Sequence, residues 1–583
     1  MMRFYITDEY EKARGSIRRP TPRTIDKIFC AKNDMAVFQI LCDADGKRCI
    51  LNPGLSPALS YELGLLRLRV EVDAPFPCTV YAEDYLEDEN SVACAEVLYE
   101  EPRTYGGGLY APAFVKIDVP AEAAHGSYRI RVNIFAAVGA NDETLSFSRE
   151  ITLLVYDFLM PNAQDRHCYL DLWQHNSNIA RTYGTELWSD AHFSQIEKVL
   201  GTLADLGQRS ITVVAGDCPW SGWGCYLLKD HPATLFEYSM VHIKKDEHGF
   251  TYRFDALRRY IDLCFSYGIS GDITVYGLMG IWTNMPLFNG AKPEDHPERV
   301  LIRYFDQTDG CMKYMRSSKD ILDYIRALFD FFRETGVMHL VRIGADEPSD
   351  LKAYEENVRL LCSIEPGIRF KMALDKTSAI QAYGEQCSDI AASFPCSCEN
   401  KALLNEMKAR DPEKRILWYI CNIPDRPNSV LHSELYELTA LGAIAYLFGF
   451  DGFLRWAYTC WTCDPTKDIR YNNTALPAGD VNFIYPAKNG DILYSIRYFA
   501  LKRMLQTCEC LHILQERGQK QKADSLIGMI LRSTDIKGYM KDAFHTERGI
   551  FSEDPADYSA FFEALCQTLE KEDRSCSPMR SHF

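Results

Sequence analysis

The sequence lacks any long apolar segment. No run approaches the ~18 residues that cross a bilayer, and the N-terminus has no apolar stretch of the about seven residues typical of a signal peptide. Basic residues are also few, because 64 Lys and Arg stand against 81 Asp and Glu, which gives a formal charge of -17. Such a surface repels nucleic acids and anionic membranes, so neither is an expected partner. We expect a cytoplasmic protein that binds a neutral ligand.

Several motifs of common chemistries are also missing. The sequence has no Gly-x-Ser-x-Gly elbow, P-loop, His-Glu-x-x-His helix or Gly-rich dinucleotide fingerprint. Its 21 cysteines form no short repeating framework, which favours reduced thiols over disulfides. Cys460-x-x-Cys463 has a spacing that can chelate zinc, but no second pair or histidine completes a ligand set. The sequence therefore predicts neither a metal nor a cofactor.

Residues 1–160 alternate polar and apolar side chains over short segments, as strands with one buried face do. The pattern is found at 36–42, 66–72, 113–119, 126–134 and 147–155. Several such strands joined by Gly-, Pro- and Asp-rich turns predict an N-terminal β-sandwich domain.

After Pro161 the pattern changes to apolar strands that alternate with helical stretches. The eight candidate strands are 167–173, 209–215, 271–278, 339–345, 368–374, 387–393, 415–421 and 452–458. Eight such alternations predict an α/β domain, a (β/α)₈ TIM barrel over residues 161–515. Residues 516–583 are expected to form a short C-terminal helical extension, with a helix at 558–571 and a disordered tail of about a dozen residues. We predict a multi-domain protein.

Two adjacent carboxylates end the fourth predicted barrel strand, in Gly344-Ala345-Asp346-Glu347-Pro348. Carboxylates at the end of a buried strand are costly to desolvate, which indicates a function. The C-terminal ends of barrel strands open onto the active site. We therefore interpret Asp346 and Glu347 as the catalytic centre of a glycoside hydrolase. The alternative is that the pair caps the helix that follows, as acidic residues before proline often do.

All eight tryptophans lie within the predicted barrel. Indole faces interspersed with carboxylates suit a sugar ring, which has an apolar face and an edge of hydroxyls. Tryptophans can equally fill a large core, but several of these stand at predicted strand ends. The tryptophans are Trp173, Trp188, Trp220, Trp223, Trp282, Trp418, Trp456 and Trp461. The residues that we predict to bind substrate are Tyr419, Trp418, Trp456, Trp461, Arg455, Trp173, Asp217 and Tyr485.

Five segments, in this order, resemble one family. They are Gly344 to Pro348, Leu417 to Cys421, Asp451 to Tyr458, Gly479-Asp480 with Tyr485-Pro486, and Ser495 to Arg497. Over roughly residues 160 to 515 the chain is similar to the catalytic domain of glycoside hydrolase family 123 and to the group called domain of unknown function 4091. The sandwich is also similar to that family's architecture. The resemblance implies an exo-acting N-acetyl-β-galactosaminidase that retains anomeric configuration by substrate-assisted catalysis, with a glycan as its partner.

The adjacency of the two carboxylates agrees with that mechanism. A retaining enzyme with a protein nucleophile holds two carboxyl groups about 5–5.5 Å apart across the anomeric carbon, which successive residues can hardly do. The resemblance implies instead that the substrate's 2-acetamido oxygen attacks, that Asp346 accepts the amide N–H, and that Glu347 is the general acid and base. Glu347 must then stay protonated and Asp346 ionised. The resemblance also implies that Tyr419 donates a hydrogen bond near the acetamido group and that Trp418, Trp456 and Trp461 form the pocket walls.

The chain departs from the family pattern at two places. Thr459 stands where many relatives carry Asn, which bears on sugar specificity. Residues 503–509 replace an acidic segment of the family, which bears on helix packing behind the site.

Two other functions stay open. One is a glycosidase of the same fold that acts on a 2-hydroxy sugar, with Glu347 as acid and Asp375 or Asp217 as nucleophile. The other is a non-catalytic barrel that binds glycans through its tryptophans. The sequence predicts neither the galacto or gluco configuration of the sugar, nor its linkage, nor the oligomeric state.

Overall fold

A computed structural model describes residues 2–15, 21–55, 64–218, 237–279, 300–348, 351–470 and 476–576. These residues form a strand-rich N-terminal region, a nearly closed barrel of eight parallel strands, and helices around and after the barrel. Within those ranges, no helix combines the length and the apolar character that crossing a bilayer requires.

The described N-terminal residues form eleven strands in two sheets. They are β1 (Arg3–Thr7), β2 (Lys27–Lys32), β3 (Asp34–Asp43), β4 (Cys49–Asn52), β5 (Leu66–Asp73), β6 (Cys78–Glu87), β7 (Ala93–Tyr99), β8 (Arg103–Tyr105), β9 (Tyr110–Val119), β10 (Gly126–Val138) and β11 (Thr144–Leu159). One sheet has the order β1-β3-β9-β6-β7, and the other has the order β2-β11-β10-β5-β4-β8. Apolar side chains from both sheets, such as Phe38 and Val132, share one core. All five predicted strand segments lie within these strands.

The later strands form the barrel and two small sheets. They are β12 (Tyr169–Leu172), β13 (Ser210–Val214), β14 (His242–Asp246), β15 (Gly249–Arg253), β16 (Asp272–Tyr276), β17 (Arg303–Asp306), β18 (Cys311–Tyr314), β19 (Val341–Asp346), β20 (Arg369–Leu374), β21 (Asp389–Ser393), β22 (Arg415–Tyr419), β23 (Gly452–Arg455), β24 (Ile484–Pro486) and β25 (Ile492–Tyr494). The barrel order is β12-β23-β22-β21-β20-β19-β16-β13, all parallel. One bridge, Leu170 to Gln208, joins its two ends. Each of the eight predicted strands corresponds to one of these eight.

Eleven α-helices lie in the described ranges. They are α1 (Asn176–Tyr183), α2 (Asp190–Leu206), α3 (Asp255–Ser266), α4 (Ser318–Glu334), α5 (Leu351–Ile364), α6 (Thr377–Tyr383), α7 (Phe394–Arg410), α8 (Leu435–Phe448), α9 (Ile496–Glu516), α10 (Lys520–Ile527) and α11 (Pro555–Cys576). The local sequence determines where several of these helices begin or end. Ser189, Ser393 and Ser495 each accept a backbone N–H at the start of α2, α7 and α9. Gly207 and Gly449 end α2 and α8 in the left-handed conformation.

The C-terminal tail differs in part from the prediction. Helix α11 continues to Cys576, so residues 572–576 are helical rather than disordered. The helix buries Phe561 and Leu565 in the main core, and its packing against β2 and β11 stabilises helical structure that local composition does not predict. The remainder of the predicted disordered tail lies outside the described residues.

Side chains of the barrel strands alternate between two environments. In β19, Ile343 and Ala345 belong to the apolar layer beneath the helices, so Gly344 and Asp346 face the barrel interior. The floor of that interior is charged: the buried Lys371 ammonium lies 2.5 Å from Asp171 Oδ2 and 3.3 Å from Asp272 Oδ2. Apolar and aromatic side chains lie above it. They include Trp173, Tyr276, Leu417 and Tyr419.

Candidate active site

Asp346 is the last residue of β19, half-buried at the C-terminal end of the barrel. Burial raises the pKa of Tyr276 well above its usual value, and the nearby charges of Asp171 and Asp346 add to that effect. The strand can approach Tyr276 only because residue 344 is glycine, since a Cβ there would lie 2.5 Å from Tyr276 Cε1. Glycine at position 344 therefore allows β19 to pack against Tyr276 in the barrel interior, two residues before Asp346.

Glu347 leaves the strand in a different direction. Its φ of 40° lies in the left-handed region, which is uncommon for a residue with a side chain. The backbone is held there because Glu347 N donates to Ala373 O at 3.0 Å. Tyr419 Oη donates to Glu347 Oε1 at 2.5 Å. Local backbone strain of this kind is common at active sites, and here it allows two successive carboxylates to face different spaces.

The surroundings of Glu347 favour its protonated form. Burial raises the pKa of the Glu347 carboxyl, and the negative charge of Asp375 raises it further. The hydrogen bond from Tyr419 and the charge of Lys376 act in the opposite direction, but the net shift is upward. An upward shift is the direction that a general acid requires.

A cavity of about 840 Å³ opens beside Glu347. Tyr419 and Asp375 line it where β22 and β20 end, and the start of α7 contributes a second wall. The far wall is a C-terminal segment that includes Lys537 and Phe544. The volume is within the range of ~300–1,000 Å³ common for ligand sites. A general acid at the edge of a partly apolar cavity can protonate a bound leaving group.

Strand alternation separates Trp456 from its neighbour Arg455. The half-buried Trp456 packs against the interior cluster of the barrel, and its Nε1 donates to Asp480 Oδ2 at 2.9 Å. Arg455 faces outward and donates to Asp480 Oδ1 at 2.9 Å and to Ile420 O at 2.6 Å. Arg455 therefore positions Asp480, which in turn holds Trp456 at the barrel mouth. Asp480 is not among the predicted site residues, although it stands in one of the segments that resemble the family.

None of the three predicted wall residues Trp418, Trp456 and Trp461 lines this cavity. Trp418 is buried on the outer face of β22, with its ring centroid 4.6 Å from that of Phe453 and 5.3 Å from that of Phe448. Trp461 is also buried, and its Nε1 donates to Ile484 O at 2.7 Å. Both indoles fill core space, and Trp418 does so because the inward position on β22 belongs to Tyr419.

Trp173 lies inside the barrel and Asp217 lies beside it. Neither residue lines the cavity next to Glu347. The Trp173 ring is 5.0 Å from that of Tyr276 in the barrel interior. Asp217 is buried, with Oδ2 3.0 Å from Arg303 Nε, and it accepts a hydrogen bond from Tyr314 Oη at 3.1 Å. Trp220, Trp223 and Trp282 lie outside the described residues.

Tyr485 makes its contacts with the N-terminal region rather than with the predicted sugar pocket. It is fully buried and its Oη donates to Glu96 Oε1 at 3.0 Å. Its apolar neighbours include Val97 of the N-terminal region. The structure thus assigns Tyr485 to the packing of the N-terminal sheets against the barrel, and corrects its prediction as a substrate-binding residue.

Two solved structures illustrate what the chain is similar to. A structure of a family 123 glycoside hydrolase from Clostridium perfringens, studied for glycolipid glycan hydrolysis, is similar with a TM-score of 0.72 and 14% identity, over 99% of this chain and 98% of that one. A β-D-glucuronidase from Dictyoglomus thermophilum matches with a TM-score of only 0.30 and 10% identity, over 86% of this chain and 68% of that one. No curated protein matches the chain.

The family comparison covers the barrel from the end of its first strand onward and most of helix α9. The model described as glycoside hydrolase 123, catalytic domain, matches residues 173–514, which is more than half of the 583 residues. The match includes the carboxylate pair, Tyr419 and Trp456. The chain therefore belongs to the glycoside hydrolase 123 family and is a glycoside hydrolase.

Proposed function

We propose that this enzyme removes terminal β-linked N-acetylhexosamine, with N-acetyl-β-galactosamine as its sugar, from the non-reducing end of a glycan. We further propose that it retains anomeric configuration through the substrate's 2-acetamido group. The observation that carries the proposal is the divergence of two successive carboxylates at the end of β19. Asp346 is directed to the barrel interior, and Glu347 borders the adjacent cavity.

In the first step, the acetamido carbonyl oxygen attacks the anomeric carbon while the glycosidic C–O bond breaks. Glu347 gives its proton to the departing oxygen, and Asp346 accepts the amide N–H as positive charge develops on the oxazolinium ring. In the second step, water attacks the anomeric carbon, Glu347 takes the proton of that water, and the ring opens. Two inversions at one carbon give net retention.

The electrostatics of the site support this division of roles. A general acid is effective when its pKa lies near the working pH. Burial and the charge of Asp375 raise the pKa of Glu347 toward that range. Tyr419, whose hydroxyl donates to Glu347 Oε1, fixes the orientation of the carboxyl group that transfers the proton.

The support for a substrate class is the similarity to the Clostridium perfringens protein, which was studied for glycolipid glycan hydrolysis. We propose a glycan of that kind, with a terminal acetamido sugar, as the natural substrate.

The test is to compare initial hydrolysis rates on four aryl β-glycosides: 2-acetamido-2-deoxy-galactoside, 2-acetamido-2-deoxy-glucoside, and the 2-hydroxy forms of both. We expect activity on the acetamido sugars alone, with the galactoside faster. Activity on the 2-hydroxy sugars would contradict participation of the acetamido group. Silence on all four would favour the non-catalytic glycan-binding barrel.

A second candidate is a glycosidase with a protein nucleophile. It is favoured by Asp375, which lines the same cavity as Glu347 and is close enough for its charge to raise the pKa of Glu347. This candidate requires turnover of 2-hydroxy sugars and a covalent glycosyl-enzyme at Asp375, detectable by mass spectrometry after reaction with a 2-fluoro glycoside. An unlabelled Asp375, with activity confined to acetamido sugars, would exclude it.

A further inference from the structure

The C-terminal segment beside the cavity ends in a tightly held turn. The side chain of Asp542 accepts hydrogen bonds from the backbone N–H groups of Phe544 at 2.8 Å and His545 at 2.9 Å. Asp425, in the loop after β22, donates its N–H to Phe544 O at 3.0 Å and accepts from Thr546 N at 3.1 Å. The turn is therefore fixed to the loop that borders the cavity through backbone groups of residues 544–546, and the Phe544 ring has an edge contact with the ring of His545, 6.5 Å between centroids.

Phe544 is exposed although its backbone is fixed. It has 57% of its surface accessible, and it is the one exposed Phe, Tyr or Trp in the part of the chain that the structure describes. A single exposed apolar side chain is common on protein surfaces, but this ring also lines the cavity that contains Glu347, where it can contact a bound ligand.

The position of Glu347 indicates which part of a substrate meets Phe544. Asp346, which would contact the acetamido group of the terminal sugar, does not line the cavity, whereas Glu347 does. A general acid stands at the glycosidic oxygen, between the terminal sugar and the leaving group. The cavity therefore contains the general acid without Asp346, an arrangement that fits the side of Glu347 on which the leaving group lies.

The charges around the cavity indicate the kind of leaving group. Four carboxyl groups and two ammonium groups line it, and with Glu347 protonated, as the proposed mechanism requires, three carboxylates remain against two ammonium groups, so its electrostatic balance is weakly acidic. Such a site disfavours a sulfated or sialylated sugar. The residues concerned are Glu347, Asp375, Glu399, Asp542, Lys376 and Lys537.

We propose that this cavity is the leaving-group subsite, that it takes an uncharged sugar, and that Phe544 is the platform on which the apolar face of that sugar lies. The proposal rests on the proposed function, since it takes Glu347 as the general acid. It assigns to the C-terminal segment a role in choosing the glycan to which the acetamido sugar is attached.

The experiment compares two substrates of the full-length enzyme. One is a disaccharide with N-acetylgalactosamine β-linked to galactose, tested with 1→3 and 1→4 linkages. The other is 2-acetamido-2-deoxy-β-galactosyl fluoride, whose leaving group occupies no sugar subsite. Aryl glycosides are avoided because an aryl ring can itself stack on Phe544. The variants are Phe544→Ala and Phe544→Tyr, with Leu145→Ala as the control for loss of an apolar side chain of similar exposure, 56%.

We expect Phe544→Ala to lower kcat/KM on the disaccharide by about 5- to 10-fold, through KM, which is the size of one aromatic contact. Hydrolysis of the fluoride should stay within about twofold. Phe544→Tyr should retain the ring and the wild-type KM, and Leu145→Ala should match the wild type on both substrates. Sulfation of the galactose should lower kcat/KM of the wild type.

Each outcome has one meaning. Equal effects of Phe544→Ala on the two substrates, or none on either, would overturn the platform while leaving the proposed function intact. A wild type that hydrolyses the fluoride but neither disaccharide, or that prefers the sulfated one, would overturn the uncharged sugar subsite. Failure of the wild type on every substrate would refute the proposed function and, with it, this inference.

Discussion

At the scale of single residues, two neighbours of Glu347 act on its pKa in opposite directions. The negative charge of Asp375 favours the protonated carboxyl, whereas the hydrogen bond donated by Tyr419 favours the ionised one. In the proposed mechanism, the protonated form starts the reaction. The loss of that form with rising pH therefore sets the basic limb of the profile of kcat/KM, and each neighbour can be tested by the direction in which the limb moves.

We predict that Asp375→Asn moves the basic limb to lower pH. Removal of a negative charge beside Glu347 lowers the pKa of its carboxyl, so the proton is lost earlier as pH rises. The measurement is kcat/KM on a 2-acetamido galactoside across the pH range. Well below the limb, the rate should stay within about tenfold of the wild type, because Asp375 does not touch the reacting atoms in this mechanism. A loss of about 10⁴-fold or more at all pH values would identify Asp375 as the nucleophile instead.

The opposite shift is expected for Tyr419→Phe. This change removes the hydrogen bond at 2.5 Å that stabilises ionised Glu347, so the pKa of the carboxyl rises and the basic limb moves to higher pH. The plateau rate should fall about 10-fold, since one positioning hydrogen bond contributes about 1–1.5 kcal/mol. The same pH profile checks both variants. A limb that moves downward in Tyr419→Phe would mean that the hydroxyl serves the protonated carboxyl.

At the scale of elements, strand alternation explains which site residues the sequence could predict. The eight barrel strands and the acidic pair are local patterns, and the structure contains all eight strands. The neighbours Trp418 and Tyr419 were both predicted to face the substrate, yet adjacent strand residues face opposite sides. The same rule assigns Trp456 inward and Arg455 outward. Alternation alone could have shown that only one residue of each neighbouring pair faces the barrel interior.

Other parts of the site depend on contacts between distant segments, which local patterns do not encode. Asp480 reaches Trp456 from a loop after β23. Phe544 reaches the cavity from a turn almost 200 residues after the acidic pair in sequence, fixed by Asp425. The left-handed φ of Glu347 is also set by its surroundings, through Ala373 O on β20. Tertiary packing determines each of these features.

Within β19 we predict that Gly344→Ala disrupts the site through packing. The added Cβ would lie 2.5 Å from Tyr276 Cε1 and 2.8 Å from Thr274 Cγ2, so the buried tyrosine must move. Overpacking of this kind costs about 1–3 kcal/mol in the free energy of unfolding. Activity should fall as well, because Asp346 follows on the same face of the strand. Urea unfolding and kcat/KM are measured together, with Gly106→Ala as the control, where a Cβ meets nothing within 4 Å. Equal stability of the two variants would contradict the close packing.

At the scale of the whole molecule, two buried arginines of α9 join the barrel to the N-terminal sheets. Arg497 Nε donates to Glu96 Oε1 at 2.8 Å, and Arg503 Nη1 lies 3.3 Å from Asp34 Oδ2. Arg503 stands in the segment that departs from the family pattern, and here it supports interdomain packing rather than the site. Tyr485 adds a hydrogen bond to this ion pair, because its hydroxyl donates to the same Glu96 oxygen that Arg497 contacts. The N-terminal region is therefore bound to the barrel by charge as well as by apolar contact.

This connection extends to the barrel mouth. Arg497 also donates to the carbonyl oxygen of Gly479 at 2.8 Å, next to the Asp480 that holds Trp456. Glu96 is consequently the N-terminal end of a continuous set of contacts that reaches a residue of the barrel mouth. An N-terminal region that merely accompanied the catalytic barrel would show no such set.

We predict that Glu96→Ala destabilises the protein by about 3–5 kcal/mol, because it leaves the Arg497 guanidinium buried without its counter-charge. Glu96 is the informative partner, since removal of Arg497 would also leave the carbonyl groups of Ser429 and Asn482 without a donor. The free energy of unfolding in urea measures the loss, and Glu150→Ala, which breaks an exposed pair with Arg131, should change it little. At urea concentrations where Glu96→Ala is still folded, kcat/KM should fall because Asp480 and Trp456 lose their support. Full activity of the folded variant would show that the contacts of Glu96 and Arg497 do not affect Asp480 and Trp456. The N-terminal region would then stabilise the barrel without shaping its site.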